Sequence, residues 1–268
     1  MEILGYFAAA CIGISLGLVG GGGSILTVPV LVYLFGVNPV MATSYSLFIV
    51  GTTSLVGAYG NFRKGQVNFK AALLFGSSSI FTVFVTRKFV IQRIPDVVFF
   101  AGKTPVTHNL LTMLLFAALM LMASLSMILN SNKSAGIGQD AKPRVLRAGS
   151  LLIIGVLIGL ITGLLGAGGG FLLIPALVLF LNIPMKEAIG TSLFIIALNS
   201  LIGFAGDLTH FKIQWTFLFS ITSIAVVGIF AGMRLSKNVK ANELKKWFGI
   251  FVLVMGLGIL IKELFFSS

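Results

Sequence analysis

Gly17-Leu-Val-Gly-Gly-Gly-Gly-Ser-Ile-Leu-Thr-Val-Pro29 lies over Gly163-Leu-Leu-Gly-Ala-Gly-Gly-Gly-Phe-Leu-Leu-Ile-Pro175, and this doubled stretch decides the fold. The offset between Pro29 and Pro175 is 146 residues. Without any gap it also pairs Leu31-Val32 with Leu177-Val178, Ser46-Leu47-Phe48-Ile49 with Ser192-Leu193-Phe194-Ile195, and Ser54-Leu55 with Ser200-Leu201. Gly57 and Gly60 fall on Gly203 and Gly206 in the same register. Two halves built on one unit are therefore expected: a first membrane repeat over 1–130, a polar basic linker over 131–147, and a second membrane repeat over 148–268. Together they are expected to form one domain.

Outward from that stretch, the solvent for the fold is a bilayer. Hydrophobic residues make up 57% of the chain and charged residues only 10%, with a mean hydropathy of +1.07. A soluble domain of this length needs roughly a quarter of its residues charged. The apolar residues lie in runs long enough to cross about 30 Å of hydrocarbon: Val40–Gly60, Phe69–Thr86, Asn109–Leu129, Ala148–Gly166, Glu187–Gly206, Trp215–Met233 and Trp247–Leu264. The run Ile3–Val19 leads straight into the glycines, and Met1-Glu2 lacks the positive start of a cleaved leader. The expected class is an all-α integral membrane protein, a polytopic helical bundle of two homologous repeats.

The formal net charge of +12 does not point to nucleic acid, because the bases sit between the apolar runs. Arg63, Lys64 and Lys70 form one cluster; Lys133, Lys142, Arg144 and Arg147 a second; Arg234, Lys237, Lys240, Lys245 and Lys246 a third. That is the pattern of loops facing cytoplasmic headgroups. The single cysteine, Cys11, makes no disulfide within the chain and is read as a small buried apolar side chain. Two histidines, one cysteine and no clustered carboxylates give neither a metal site nor a catalytic pair. No catalytic residue and no cofactor are expected.

The run after each glycine stretch is short. Ser24–Phe35 and Phe171–Leu181 are long enough for only about 18 Å of helix at 1.5 Å per residue. Each repeat thus carries a half-helix or re-entrant segment, with irregular backbone at membrane depth that must be buried in protein or line a cavity. Glycines there leave amide groups approachable. The N-terminus of the following short helix adds unsatisfied donors and the positive end of its dipole, which makes an anion site without a charged side chain. The competing reading of the glycines is close helix crossing. Candidate substrate-binding residues are Gly21, Gly22, Gly23 and Ser24, with Ser44 and Ser46, in the first half. Gly168, Gly169, Gly170, Thr191, Ser192 and Asn199 are those of the second. Asp207 and His210, three residues apart, are candidates for proton coupling, although residues at a helix end are ordinarily solvated.

These residues resemble the sulfite exporter TauE/SafE-like family, also called the toluene-sulfonate uptake permease group. The resemblance rests on the glycine loop and Pro-containing short helix in both halves, on Gly190-Thr191-Ser192-Leu193, and on the turn Arg63-Lys64-Gly65-Gln66-Val67. It implies about eight to ten membrane segments and a cargo of small sulfur-containing or carboxylated anions. The turn that often carries Val-Asp in that family has Val67-Asn68 here, and its second copy has Ile213-Gln214. Thiosulfate is disfavoured by the lone Cys11.

The expected function is a secondary carrier in the cell (inner) membrane for a sulfur oxyanion, organosulfonate or sulfoacetate-like carboxylate. Its partners are the small anion, the lipid bilayer and a coupling proton or sodium ion. A scaffold or assembly factor, and a membrane-embedded enzyme, are the alternatives. If each glycine loop makes a re-entrant hairpin, each repeat has three full spans, and this odd number inverts the second copy. The stretch Arg87 to Lys103 then falls outside, against the positive-inside rule.

Overall fold

The computed structural model describes residues 2–21, 23–101, 104–129, 148–181, 183–235 and 241–265; the linker 131–147 lies outside them. The first half contains α1 (Glu2–Val19), α2 (Ser24–Tyr33), α3 (Pro39–Phe62), α4 (Phe69–Val85) and α5 (His108–Leu129). The second contains α6 (Ala148–Leu165), α7 (Gly170–Leu181), α8 (Met185–Asp207), α9 (Trp215–Leu235) and α10 (Ala241–Phe265). Four helices of one half begin 146 residues before their counterparts in the other. Between α4 and α5 come a π-helical turn (Thr86–Val90), a 3-10 turn (Ile91–Arg93) and an antiparallel hairpin, β1 (Val97–Ala101) and β2 (Thr104–Thr107).

Among the described residues, five helices are long and apolar enough to cross a membrane: Pro39–Phe62, Phe69–Val90, His108–Ser126, Lys186–Asp207 and Trp215–Leu235. The surface is inverted relative to a soluble protein. Leu73, Phe81 and Val227 are more than 70% exposed, whereas Ser46, Ser54, Ser192 and Ser200 are fully buried. Cys11 is exposed on α1 rather than buried; facing lipid costs a small apolar side chain nothing, so burial is not enforced there.

Each glycine stretch makes a helical hairpin. Gly23 lies against Ile12 and Leu16, in the middle of α1, and Phe35 packs on Gly5 and Tyr6 near its start. α2 therefore runs back along α1. In the second half Gly169 lies against Ile158 and Thr162 of α6 in the same manner. Asn38 caps the next helix, its Oδ1 accepting from the Val40 amide at 3.0 Å with Pro39 in the first turn, where a missing N–H costs nothing.

The halves interlock. Gly13 and Gly17 of α1 meet Ala225 to Met233 of α9 in parallel, and Gly155, Gly159 and Gly163 of α6 meet Phe75 to Thr82 of α4 and Thr86 of the π-helical turn in parallel. These small-residue stripes let backbones touch where lipid offers no hydrophobic drive to pack helices. The central pair, α3 and α8, runs antiparallel: Gly203 packs on Leu47, Gly51 on Leu201, and Gly57 on Leu193. The bundle consequently has two distinct ends, one where α3 starts and α8 finishes, the other where α8 starts and α3 finishes.

Candidate functional site

Both long arms of the hairpins stop on a glycine in the left-handed region. The Gly20 amide donates to the Leu16 carbonyl at 2.9 Å with φ of +82°, and the Gly166 amide to the Thr162 carbonyl at 2.9 Å with φ of +66°. Such an amide satisfies a carbonyl at the helix end, and glycine adopts this conformation without strain. The chain then crosses to the other half. A Cβ on Gly21 would stand 2.7 Å from Gly170 Cα, and one on Gly170 would stand 2.6 Å from Gly21 Cα. The glycine loop before α2 and the first residue of α7 thus abut, backbone on backbone, in the interior. Gly20 rests on Ile189 and Gly166 on Thr43, positions that correspond in the two halves. Gly22 lies outside the described residues.

The other sequence-derived candidates divide. Ser24 is fully buried and spends its hydroxyl on the Gly21 carbonyl at 2.8 Å. Ser192 donates to the Ile189 carbonyl at 2.9 Å, Thr191 Oγ1 accepts from the Asn68 amide at 2.9 Å, and Asn199 Nδ2 donates to Ser79 Oγ at 2.7 Å. Ser44 and Ser46 are buried without a hydrogen-bond partner, as are Thr27, Ser54, Thr162 and Ser200. Two of these flank the second glycine loop: Thr162 stands against Gly169, and Ser200 Oγ would lie 3.2 Å from a Cβ on Gly168. Buried hydroxyls are normally satisfied, so unpartnered ones beside irregular backbone mark a place suited to a polar ligand.

A charged element lies beside this centre. Arg87, in the π-helical turn after α4, is fully buried, and its Nη1 donates to Asp207 Oδ2 at 3.2 Å and to Thr43 Oγ1 at 3.0 Å. Asp207 is 1% exposed, not solvated as a helix-end residue ordinarily is; Gly206 allows this, since it brings the end of α8 within contact of the Arg87 side chain. His210 is exposed, and its link to Asp207 runs through the backbone, His210 amide to Asp207 carbonyl at 3.0 Å. Sequence reading took Arg87 as the edge of a basic stretch. The overlooked signal is its register: Arg87 corresponds to Met233, and Asp207 to Asn61. Lys88 turns its ammonium onto the rings of Phe84 and Phe89, at 5.4 and 5.7 Å from their centroids.

Just above the pair, at the end where α3 starts, a cavity of about 700 Å3 is lined by residues including Asn38, Met41, Asp96, His108, His210 and Phe211. It does not reach the glycine loops directly. Thr43 connects the two regions, donating to the carbonyl of cavity-lining Val40 at 2.7 Å, accepting from Arg87, and packing on Gly166. At this end the Gln214 amide donates to Tyr45 Oη at 2.9 Å. Its counterpart at the opposite end is the bond from the Asn68 amide to Thr191 Oγ1, also 2.9 Å. A phenol reaches several ångströms farther than a threonine hydroxyl. The turn carrying Gln214 is accordingly held off α3, whereas the turn carrying Asn68 closes onto α8, where the Gln66 carbonyl lies directly on Gly190.

Membrane-length helices, two helical hairpins that meet in the interior, and buried polar groups near a cavity at the end where α3 starts are features of a membrane transporter. The family model described as Sulfite exporter TauE/SafE matches residues 5–259, and the chain belongs to that family. It is 28% identical over 249 residues to a "Probable membrane transporter protein" of Xylella fastidiosa, covering 92% of this chain and 90% of that protein. It is 25% identical over 264 residues to "Probable membrane transporter protein YunE" of Bacillus subtilis, covering 92% and 93%. A "Probable membrane transporter protein" of Haemophilus influenzae is 22% identical over 281 residues, covering 97% and 98%.

Proposed function

We propose that this transporter is a secondary carrier of the cell membrane for a small sulfur oxyanion, organosulfonate or sulfoacetate-like carboxylate, bound where the N-termini of α2 and α7 meet. The observation that carries the reading is the apposition of Gly21 and Gly170, flanked by the unpartnered hydroxyls of Thr162 and Ser200. Two helix N-termini converging from opposite halves supply backbone donors and positive dipole ends to one point. Hydroxyl donors complement sulfonate or carboxylate oxygens without fixing a permanent charge in the path.

The halves are inverted, as supported by the antiparallel α3 and α8 and by three helices after each hairpin. Charge sets the orientation. The end where α8 starts carries Arg63, Lys64, Lys70, Lys186, Arg234, Lys245 and Lys246 against Glu187 and Glu243. The opposite end carries Arg87, Lys88, Arg93, Lys212 and Lys262 against Glu2, Asp96, Asp207 and Glu263. By the positive-inside rule the first of these ends is cytoplasmic, and the cavity faces outward.

Flux of labelled sulfite, methanesulfonate and sulfoacetate into proteoliposomes, with either a proton or a sodium gradient imposed, tests the reading. Gradient-dependent uptake of at least one is expected. A protein that reconstitutes intact yet moves none of them is not this carrier.

A further inference from the structure

We propose that Arg87 is the charged anchor for the transported anion beneath the cavity wall, and that Asp207 is the resident carboxylate this anion displaces, taking up one proton as it leaves the guanidinium. The inference rests on the transporter reading above and adds to it a station between the cavity and the glycine loops.

The fold does not need this ion pair. The halves put Asn61 and Met233 at the matching positions on the opposite end, and the glycine beside each pair is alike: a Cβ on Gly206 would stand 3.3 Å from Arg87 Cβ, and one on Gly60 would stand 3.4 Å from Met233 Sδ. A buried pair contributes little net stability, because desolvation offsets most of the attraction between its members. What a buried guanidinium does well is bind an oxyanion through parallel N–H donors. A carboxylate already occupying that place is a stand-in with the same chemistry as the cargo.

The surroundings favour exchange. Asp207 Oδ1 has no hydrogen-bond partner, so the carboxylate is held through one oxygen only. Ser44 adjoins it with a hydroxyl that also lacks a partner of good geometry, leaving a donor for an incoming oxygen. The cavity stands one residue layer away, and its lining residues His210 and Phe211 donate their amides to the Asp207 carbonyl at 3.0 and 3.2 Å. Thr43 then leads from Arg87 to Gly166.

Charge balance requires the proton. With Asp207 ionised the pair is neutral; when a monovalent anion takes the guanidinium, a bare buried carboxylate is left, at a cost of several kcal/mol. Protonation from water in the cavity converts it to the carboxylic acid and returns the site to neutrality. The charged groups that face Asp207 are Arg87 from the turn after α4 and His210 from its own loop. α3 presents Thr43 and Ser44, Lys88 is turned onto its two rings, and the cavity above holds Asp96 and His108.

The test compares wild type, D207N and the double variant R87M/D207N, which installs at this end the residues that occupy the matching positions at the other. Binding of methanesulfonate, sulfoacetate and sulfite to purified protein is read by thermal shift, and proton uptake in lightly buffered solution by a pH dye. Methanesulfonate is ionised throughout, so any uptake belongs to the protein. Wild type is expected to bind with about one proton taken up per anion, D207N to bind at least as tightly with none, and the double variant to lose ten-fold or more in affinity. A double variant that binds like wild type, or a D207N protein that still takes up the proton, overturns the assignment and leaves the glycine-loop carrier standing. Absence of binding to wild type overturns both. If the double variant aggregates, the proton uptake of D207N decides.

Discussion

Gly21 and Gly170 approach so closely that neither can carry a side chain, although they are far apart in sequence and belong to different halves of the bundle. This contact joins the loop before α2 to the start of α7, and the proposed anion site depends on it. Gly170→Ala should destabilise the protein by about 1–3 kcal/mol through overpacking and abolish anion binding. Gly149→Ala, in a helix with open space around it, should be neutral or slightly stabilising. Thermal unfolding in detergent separates them; equal behaviour would contradict the packing.

The buried Arg87–Asp207 pair predicts strong non-additivity. Arg87→Met alone leaves a buried carboxylate without its partner and should cost about 3–5 kcal/mol, whereas the double variant with Asp207→Asn should lie within about 1–2 kcal/mol of wild type. A double-mutant cycle on melting temperature checks this. Additive losses would mean that the two side chains do not interact.

Tyr45 and Thr191 hold equivalent turns by one hydrogen bond each. Tyr45→Phe and Thr191→Val should each cost about 1–3 kcal/mol by leaving a part-buried amide unpaired. The effects should differ in place: hydrogen exchange should rise at Gln214 in the first variant and at Asn68 in the second. Uniform change at both ends would contradict the assignment.

Orientation is open to labelling. With Cys11 replaced by Ala, a cysteine at His210 should react with an impermeant maleimide on intact cells, and one at Lys64 only after permeabilisation. Reaction of both from the same side would defeat the inverted arrangement, and reaction of Lys64 alone would reverse its direction.

Much of the fold was legible because lipid as solvent imposes coarse rules: apolar runs must be helices, and a repeat written without gaps at an offset of 146 residues must place like helices in like environments. The glycine stretches revealed the short helices to within two residues at their ends, since left-handed backbone and close approach need glycine. Arg87 was not legible as a buried group, because a base at the end of an apolar run ordinarily reaches for headgroups. Asp207 from the other half, brought near by Gly206, and Thr43 of α3 both hold it inside. That burial also accounts for a base at the end proposed to face outward, against the charge rule.

By itself the sequence determined a helical membrane protein of two like halves with breaks at Gly20 and Gly166, for the period and polarity of each segment are local properties. Tertiary structure decided the rest: that the breaks fold into hairpins, that the loop of one touches the short helix of the other, and that a cavity opens where α3 starts. These follow from which helix of one half packs on which helix of the other, and contacts between residues more than a hundred positions apart have no local signature.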